Sequence, residues 1–299
     1  MTDGFVDVGG LRLHYQDWGP RSSTAGAVIL VHGVGSSSHI WDLTGPLLAD
    51  SAPLRVVALD QRGHGESDLP DSGYDFASVV GDLAGFLQAV GVDAPSVLVG
   101  HSWGASVVLH FAVAHPDRTA GCALVDGGTA SPGERWTWEE TESRLTPPDI
   151  DGQQWSELRR RMTDNNPAYV DPRAETVGRS LFNVDAEGRV ARRFHIANHM
   201  QVVRALWEQR PAELFPRVRC PLLILPARQS SDAPEWRSSK VAGVERALEL
   251  RPGARVRWFE DTVHDVPLQR PEELARELQL FVRDVLGVRT GSNQADARA

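Results

Sequence analysis

Gly100-His101-Ser102-Trp103-Gly104 sets a serine between two glycines, directly after an apolar run and directly before a helical pattern. A serine on so tight a strand-to-helix turn is forced outward at the end of a sheet, with a helix N-terminus behind it. Both glycines are needed, because a Cβ at either position would collide with neighbouring backbone. An Oγ exposed in this way can be approached by a base from one side and by a carbonyl from the other, the arrangement for nucleophilic attack on an acyl carbon. The five-residue pattern is short enough to arise by chance; its strand–turn–helix setting is what gives it weight. Ten histidines supply possible bases. Two of them, His195 and His199, are four apart on a helical stretch and so share a face, the spacing of a metal pair. No partner carboxylate or cysteine pattern accompanies them, so pocket-lining or surface roles are expected and no metal.

The elements that must hold this serine are legible as an alternation. Short β-branched runs at 27–31, 56–60, 96–100, 121–126, 221–225 and 256–259 alternate with longer helical patterns. Such alternation predicts an α/β fold with a mostly parallel sheet covered by helices. Most of the runs are continuously apolar, as expected of strands buried on both faces. Residues 5–17 alternate apolar and polar and predict an antiparallel edge hairpin turning at Gly9-Gly10. Phe76, Val79, Val80, Leu83, Phe86, Leu87 and Val90 recur at helical spacing, with Gly91 as the stop. A buried helix is expected at 105–114, and a C-terminal helix at 272–286 between Pro271 and Gly287. Between about 131 and 215 the composition changes: four tryptophans, several prolines and Arg/Glu-rich helical segments occupy a stretch far longer than a plain βα connection. The expected organisation is a core of residues 1–130 and 216–288, a mainly helical cap at 131–215, and a polar, disordered tail at 289–299.

Four motifs in register resemble the α/β-hydrolase family over nearly the whole chain. Val31-His32-Gly33-Val34-Gly35 is similar to the family's oxyanion loop, and Asp60-Gln61-Arg62-Gly63-His64-Gly65-Glu66-Ser67 to its D-x-R-G-x-G-x-S stretch. The serine turn follows, and Val263-His264-Asp265 before Pro271-Glu272-Glu273-Leu274 resembles the catalytic histidine loop and the start of the last helix. The resemblance implies a mostly parallel eight-stranded sheet, flanking helices and an inserted cap. It implies Ser102 as nucleophile and His264 as general base, with an oxyanion held by the N–H groups of Trp103 and Val34, or of Gly33 in place of Val34. It gives His32 and His101 supporting rather than proton-accepting roles, and no cofactor is required.

The acid is open between two positions. Family members mostly carry it after the strand matching 221–225, where this chain reads Pro226-Ala227-Arg228-Gln229-Ser230-Ser231-Asp232. Its first carboxylate there, Asp232, comes late. Some relatives, one subgroup of haloalkane dehalogenases and the zearalenone lactonases among them, carry the acid at the end of the preceding strand, where Asp126 stands. Asp126 is favoured by a small margin and Asp232 remains the alternative; Asp265, adjacent to the histidine, is disfavoured. Family members that open epoxides or displace halides use an aspartate at the turn, because an alkyl carbon needs a carboxylate nucleophile. Ser102 points instead to acyl transfer to water. The expected activity is carboxylic ester or lactone hydrolysis, with carbon–carbon bond hydrolysis, perhydrolysis or a slow-turnover ligand sensor as alternatives.

Composition narrows the partners. The 299-residue chain has a formal net charge of −9, so no basic stripe is available to neutralise phosphates and no nucleic-acid partner is expected. No apolar stretch approaches the roughly 20 residues of a membrane span, and the first residues lack a basic-then-apolar leader. Cys122 and Cys220 each lie in apolar runs and are expected to be buried free thiols. Together these features predict a cytoplasmic protein acting on a small hydrophobic or aromatic molecule, with the tryptophans either walling the pocket or forming the cap's own core. Lys240 is the only lysine; by itself it reads as a trace of a GC-rich genome.

Overall fold

The structure, a computed structural model, describes residues 1–20, 26–51 and 54–287. Its strands are β1 (Thr2–Val8), β2 (Leu11–Trp18), β3 (Ala27–Val31), β4 (Arg55–Leu59), β5 (Ser96–His101), β6 (Thr119–Val125), β7 (Phe182–Val184), β8 (Val190–Arg192), β9 (Leu222–Leu225), β10 (Ala227–Arg228), β11 (Arg255–Val256) and β12 (Phe259–Glu260). Its helices are α1 (Gly45–Asp50), α2 (Phe76–Ala89), α3 (Trp103–Ala114), α4 (Trp138–Leu145), α5 (Trp155–Asn165), α6 (Ala174–Ser180), α7 (Ile196–Glu208), α8 (Pro211–Leu214), α9 (Pro234–Leu250), α10 (Val266–Gln269) and α11 (Pro271–Leu286). The tail expected at 289–299 lies outside the described residues.

Eight strands form one sheet in the order β1-β2-β4-β3-β5-β6-β9-β11. The β1–β2 and β2–β4 pairs are antiparallel and the remaining pairs parallel. Alternate side chains of β3 show how the sheet separates two apolar layers. Ile29 and Val31 face one layer with Leu83, Phe86 and Phe111, whereas Val28 and Leu30 face the other with Leu278 and Phe281. Both layers are apolar and buried, so each central strand is covered on both faces, which is why its sequence reads as an unbroken apolar run.

Local signals set the covering helices. Asp75 caps α2 by accepting from the Ser78 N–H, and the buried face of α2 is Val79, Val80, Leu83, Phe86 and Leu87. Pro271 opens α11, which buries Leu274, Leu278 and Phe281. The expected strand at 256–259 is instead two short ones. β11 pairs with β9 in the main sheet, and β12 pairs with β10. Pro226 separates β9 from β10; it has no N–H to continue the ladder, so the partner strand breaks there too.

The stretch between β6 and β9 holds α4 to α8, as the mainly helical expectation has it, together with the β7–β8 hairpin, a strand pair that expectation did not name. A small separate core of Ile150, Leu158, Phe182 and Val190 lies within it. Among the described residues, no helix is long and apolar enough to cross a membrane. Cys122 and Cys220 are free and buried.

Candidate active site

Register in the sheet brings the serine and one carboxylate side by side. His101 pairs with Val125 across β5 and β6. One residue further on, the Ser102 N–H donates to the Val125 carbonyl at 2.9 Å, and the Asp126 N–H donates to the Leu225 carbonyl at 3.0 Å. Both residues therefore leave the same edge of the sheet on neighbouring strands. Both also turn sharply, with φ of 56° at Ser102 and 44° at Asp126. Few non-glycine residues adopt such angles, and where they persist the surrounding structure enforces them. At Ser102 the enforcement is visible. A Cβ on Gly100 would lie 2.1 Å from the Gly104 carbonyl oxygen, and one on Gly104 would lie 2.3 Å from that of Val31. The turn closes against β3 only because those side chains are missing.

His264 hangs from the loop between β12 and α10, with its side chain about half exposed. Its Nε2 lies 2.8 Å from Ser102 Oγ and its Nδ1 lies 2.6 Å from Asp126 Oδ2. An ionised carboxylate can only accept, so Nδ1 carries the proton and Nε2 is free to accept from the serine hydroxyl. Beneath the loop, buried His101 donates from Nε2 to the His264 carbonyl at 2.8 Å. Burial and the neighbouring His264 push the His101 pKa down to about 4, so its ring stays neutral.

Asp126 is buried and has more partners than the histidine. Its Oδ1 accepts from the Ala227 N–H at 2.9 Å and from Lys240 Nζ at 2.7 Å. Burial would raise the carboxyl pKa, but the His264 hydrogen bond, the charge of His264 and the Lys240 ammonium together hold it well below the ordinary range. For His264, the surrounding protein lowers the pKa, and the hydrogen bond and charge of Asp126 more than reverse that, leaving it raised.

The other two candidate carboxylates are hydrogen-bonded elsewhere, although Asp232 lines the cavity that His264 and Asp126 also line. Asp232 accepts from the Gln229 N–H at 2.8 Å in the loop before α9. Asp265 accepts from Asn166 Nδ2 at 2.6 Å. The structure thus brings together Ser102, His264 and Asp126, and leaves Asp232 capping its own turn. Lys240, unmarked by any local pattern, stands 114 residues from the carboxylate that it holds.

The loop after β3 passes over the serine. A Cβ on Gly33 would come within 2.9 Å of Ser102 Cβ. The Gly33 carbonyl accepts from His32 Nδ1 at 2.7 Å, while His32 Nε2 accepts from the Gln61 N–H at 3.0 Å. Both ring nitrogens of His32 are thereby engaged, and burial lowers its pKa. In a planar trans peptide the N–H points opposite the C=O, so the Val34 N–H is directed away from the His32 ring. Trp103 opens α3, and its N–H belongs to the first turn, whose donors have no acceptor within the helix. His64, in the turn after β4, is buried with Nδ1 donating to the Arg62 carbonyl and its ring stacked on Phe194 at 3.7 Å.

A model of the alpha/beta hydrolase family matches residues 28–277. The chain belongs to this family. Epoxide hydrolase A of Mycobacterium tuberculosis (strain ATCC 25618 / H37Rv) is 40% identical over 126 residues, which is 42% of this chain and only 38% of that relative. Among solved structures, an E-2-(acetamidomethylene)succinate hydrolase superposes with a TM-score of 0.77 at 21% identity, covering 94% of this chain and 98% of the other. The enol-lactonase from Burkholderia xenovorans LB400 superposes with a TM-score of 0.70 at 19% identity, covering 93% and 99%. At these identities the two structures speak to fold.

In this alpha/beta hydrolase, a cavity of about 390 Å³ adjoins the histidine and acid, lined in part by Asp126, His264, Lys240, Ser239 and Trp236. Trp136 meets Trp236 edge-on at 4.9 Å, with the Arg135 guanidinium over both rings. Trp155 packs instead with Phe182 beside the small core of the insertion. The tryptophans of the 131–215 stretch therefore divide between the neighbourhood of the cavity and internal packing. His195 is exposed beside His199, and no cluster of three metal-ligating side chains occurs among the described residues.

Proposed function

We propose that this hydrolase cleaves carboxylic esters or lactones through an acyl-enzyme formed on Ser102. The observation that carries the reading is the continuous chain of hydrogen bonds from Ser102 Oγ through His264 to Asp126, at 2.8 and 2.6 Å. Ser102 Oγ attacks the acyl carbon while its proton passes to His264 Nε2. The imidazolium that forms is stabilised by Asp126, and the oxyanion by the N–H groups of Trp103 and Val34, the Gly33 carbonyl being turned to His32. The leaving alcohol takes the proton from Nε2. Water, deprotonated by the same nitrogen, then attacks the acyl-enzyme and releases the acid.

Epoxide opening does not carry over from the relative of that name, since the turn presents a hydroxyl where a carboxylate nucleophile would be needed. The residues of 131–215 act as a cap over the site, and its Trp136, which meets Trp236 near His264, is the feature that favours a hydrophobic or aromatic substrate. The test is hydrolysis of a panel of p-nitrophenyl esters and aromatic lactones by wild type and Ser102→Ala. Multiple turnover that falls at least about a thousandfold in the variant supports acyl transfer at Ser102. Activity retained in Ser102→Ala, or no turnover by wild type, contradicts it; the second outcome moves weight to carbon–carbon bond hydrolysis or ligand sensing.

A further inference from the structure

Lys240 is the chain's only lysine, and it is spent on the acid rather than left in solvent. Its Nζ lies 2.7 Å from Asp126 Oδ1, 3.1 Å from Asp126 Oδ2 and 2.7 Å from the Ala227 carbonyl. The Ala227 N–H donates to the same Oδ1, so one carboxylate oxygen is held by β10 and α9 together, and the other meets His264 alongside the longer Lys240 contact. A carboxylate with a single partner would be free to rotate; this one is fixed from two directions.

We propose that Lys240 is a positioning residue for the Ser102–His264–Asp126 site, whose positive charge, shared with His264 across one carboxylate, sets the pH at which the histidine becomes a free base. The inference rests on the acyl-transfer reading for its meaning but not for its test. Asp126 faces two cations once His264 is protonated, so its negative charge is divided between them. Lys240 therefore opposes the imidazolium and keeps His264 able to accept a proton at lower pH than Asp126 alone would allow. Other charged or titratable groups around the His264 ring act in both directions. Asp265, on the same loop, favours the imidazolium, and His101, below it on β5, donates to the His264 carbonyl and remains neutral. Asp232 lines the same cavity and is held by the Gln229 N–H. Lys240 is the cation that the structure sets directly on the acid.

The experiment is a ring-resonance NMR titration of His264 in wild type, Lys240→Met and Lys240→Arg, with the resonance identified by its loss in His264→Asn. Lys240→Met should raise the His264 pKa by about one unit, a roughly tenfold change in its ionisation constant, and Lys240→Arg should restore the wild-type value. The acid limb of kcat/KM for ester hydrolysis should move by the same amount. A merely structural lysine would lower melting temperature or kcat and leave the His264 titration where it was; that result would overturn the proposal. Should Lys240→Met fail to fold, acetylation of the folded wild type supplies the same loss of charge, since the N-terminus is the chain's other amine. Lys240→Arg treated in parallel is the control. Acetylated wild type must then show the upward shift that treated Lys240→Arg lacks, and equal titrations in the two would overturn the proposal. The titration needs no substrate, so a failure to hydrolyse esters counts against acyl transfer alone.

Discussion

Which carboxylate meets His264 is decided by the strand that each one follows and by how far along the next loop it lies. Asp126 sits one residue beyond β6, and Ser102 one residue beyond the neighbouring β5, so the Asp126 carboxylate begins beside the histidine loop. Asp232 sits one strand further on and seven residues past the end of β9, where its carboxylate is taken up by the Gln229 N–H. Asp126→Asn would keep the shape but replace an ionised acceptor with a neutral amide, losing both the imidazolium's partner and the control of the ring tautomer. Steady-state kinetics should show kcat falling by about 10⁴ in Asp126→Asn. Asp232→Asn should stay within a few-fold of wild type. A collapse confined to Asp232→Asn would mean that the loop before α9 rearranges during turnover.

At the scale of elements, the site depends on how closely α3 is drawn onto β3. The carbonyls of Val31 and His32 lie 2.3 and 2.5 Å from where a Gly104 Cβ would be. Backbone cannot retreat from that contact as the end of a flexible side chain can. Gly104→Ala should therefore cost about 3 kcal/mol in a urea denaturation series, with activity falling as the turn relaxes. These close approaches were legible in the sequence, because a glycine two residues before and two residues after a serine, at the end of an apolar run, is what so tight a turn requires. The alternation of apolar runs with helical patterns likewise marked most of the central strands. The break between β11 and β12 was not legible, since its cause, Pro226, lies on the partner strand. Nor was the β7–β8 hairpin: its strands are three residues each, too short for a period-two pattern to stand out.

For the whole molecule, the sheet is the device that collects distant residues. Ser102 and Asp126 follow the neighbouring strands β5 and β6, His264 lies in the loop after β12, and α9 brings Lys240 to the same point. Motif spacing could indicate Ser102 and His264 because each lies in a local pattern. It left the acid open between Asp126 and Asp232, since both follow strands that end at that edge. It had no means of finding Lys240, whose partner is 114 residues away and whose neighbours on α9 form no motif. The central claim is that Ser102, activated by His264, is the nucleophile. The measurement that meets it most directly is reaction with diethyl p-nitrophenyl phosphate, followed by peptide mass spectrometry. The account predicts one p-nitrophenol released per chain, a diethylphosphoryl group on Ser102, and loss of the labelling in His264→Asn. Labelling at another residue, or none under conditions where the fold is intact, would contradict it.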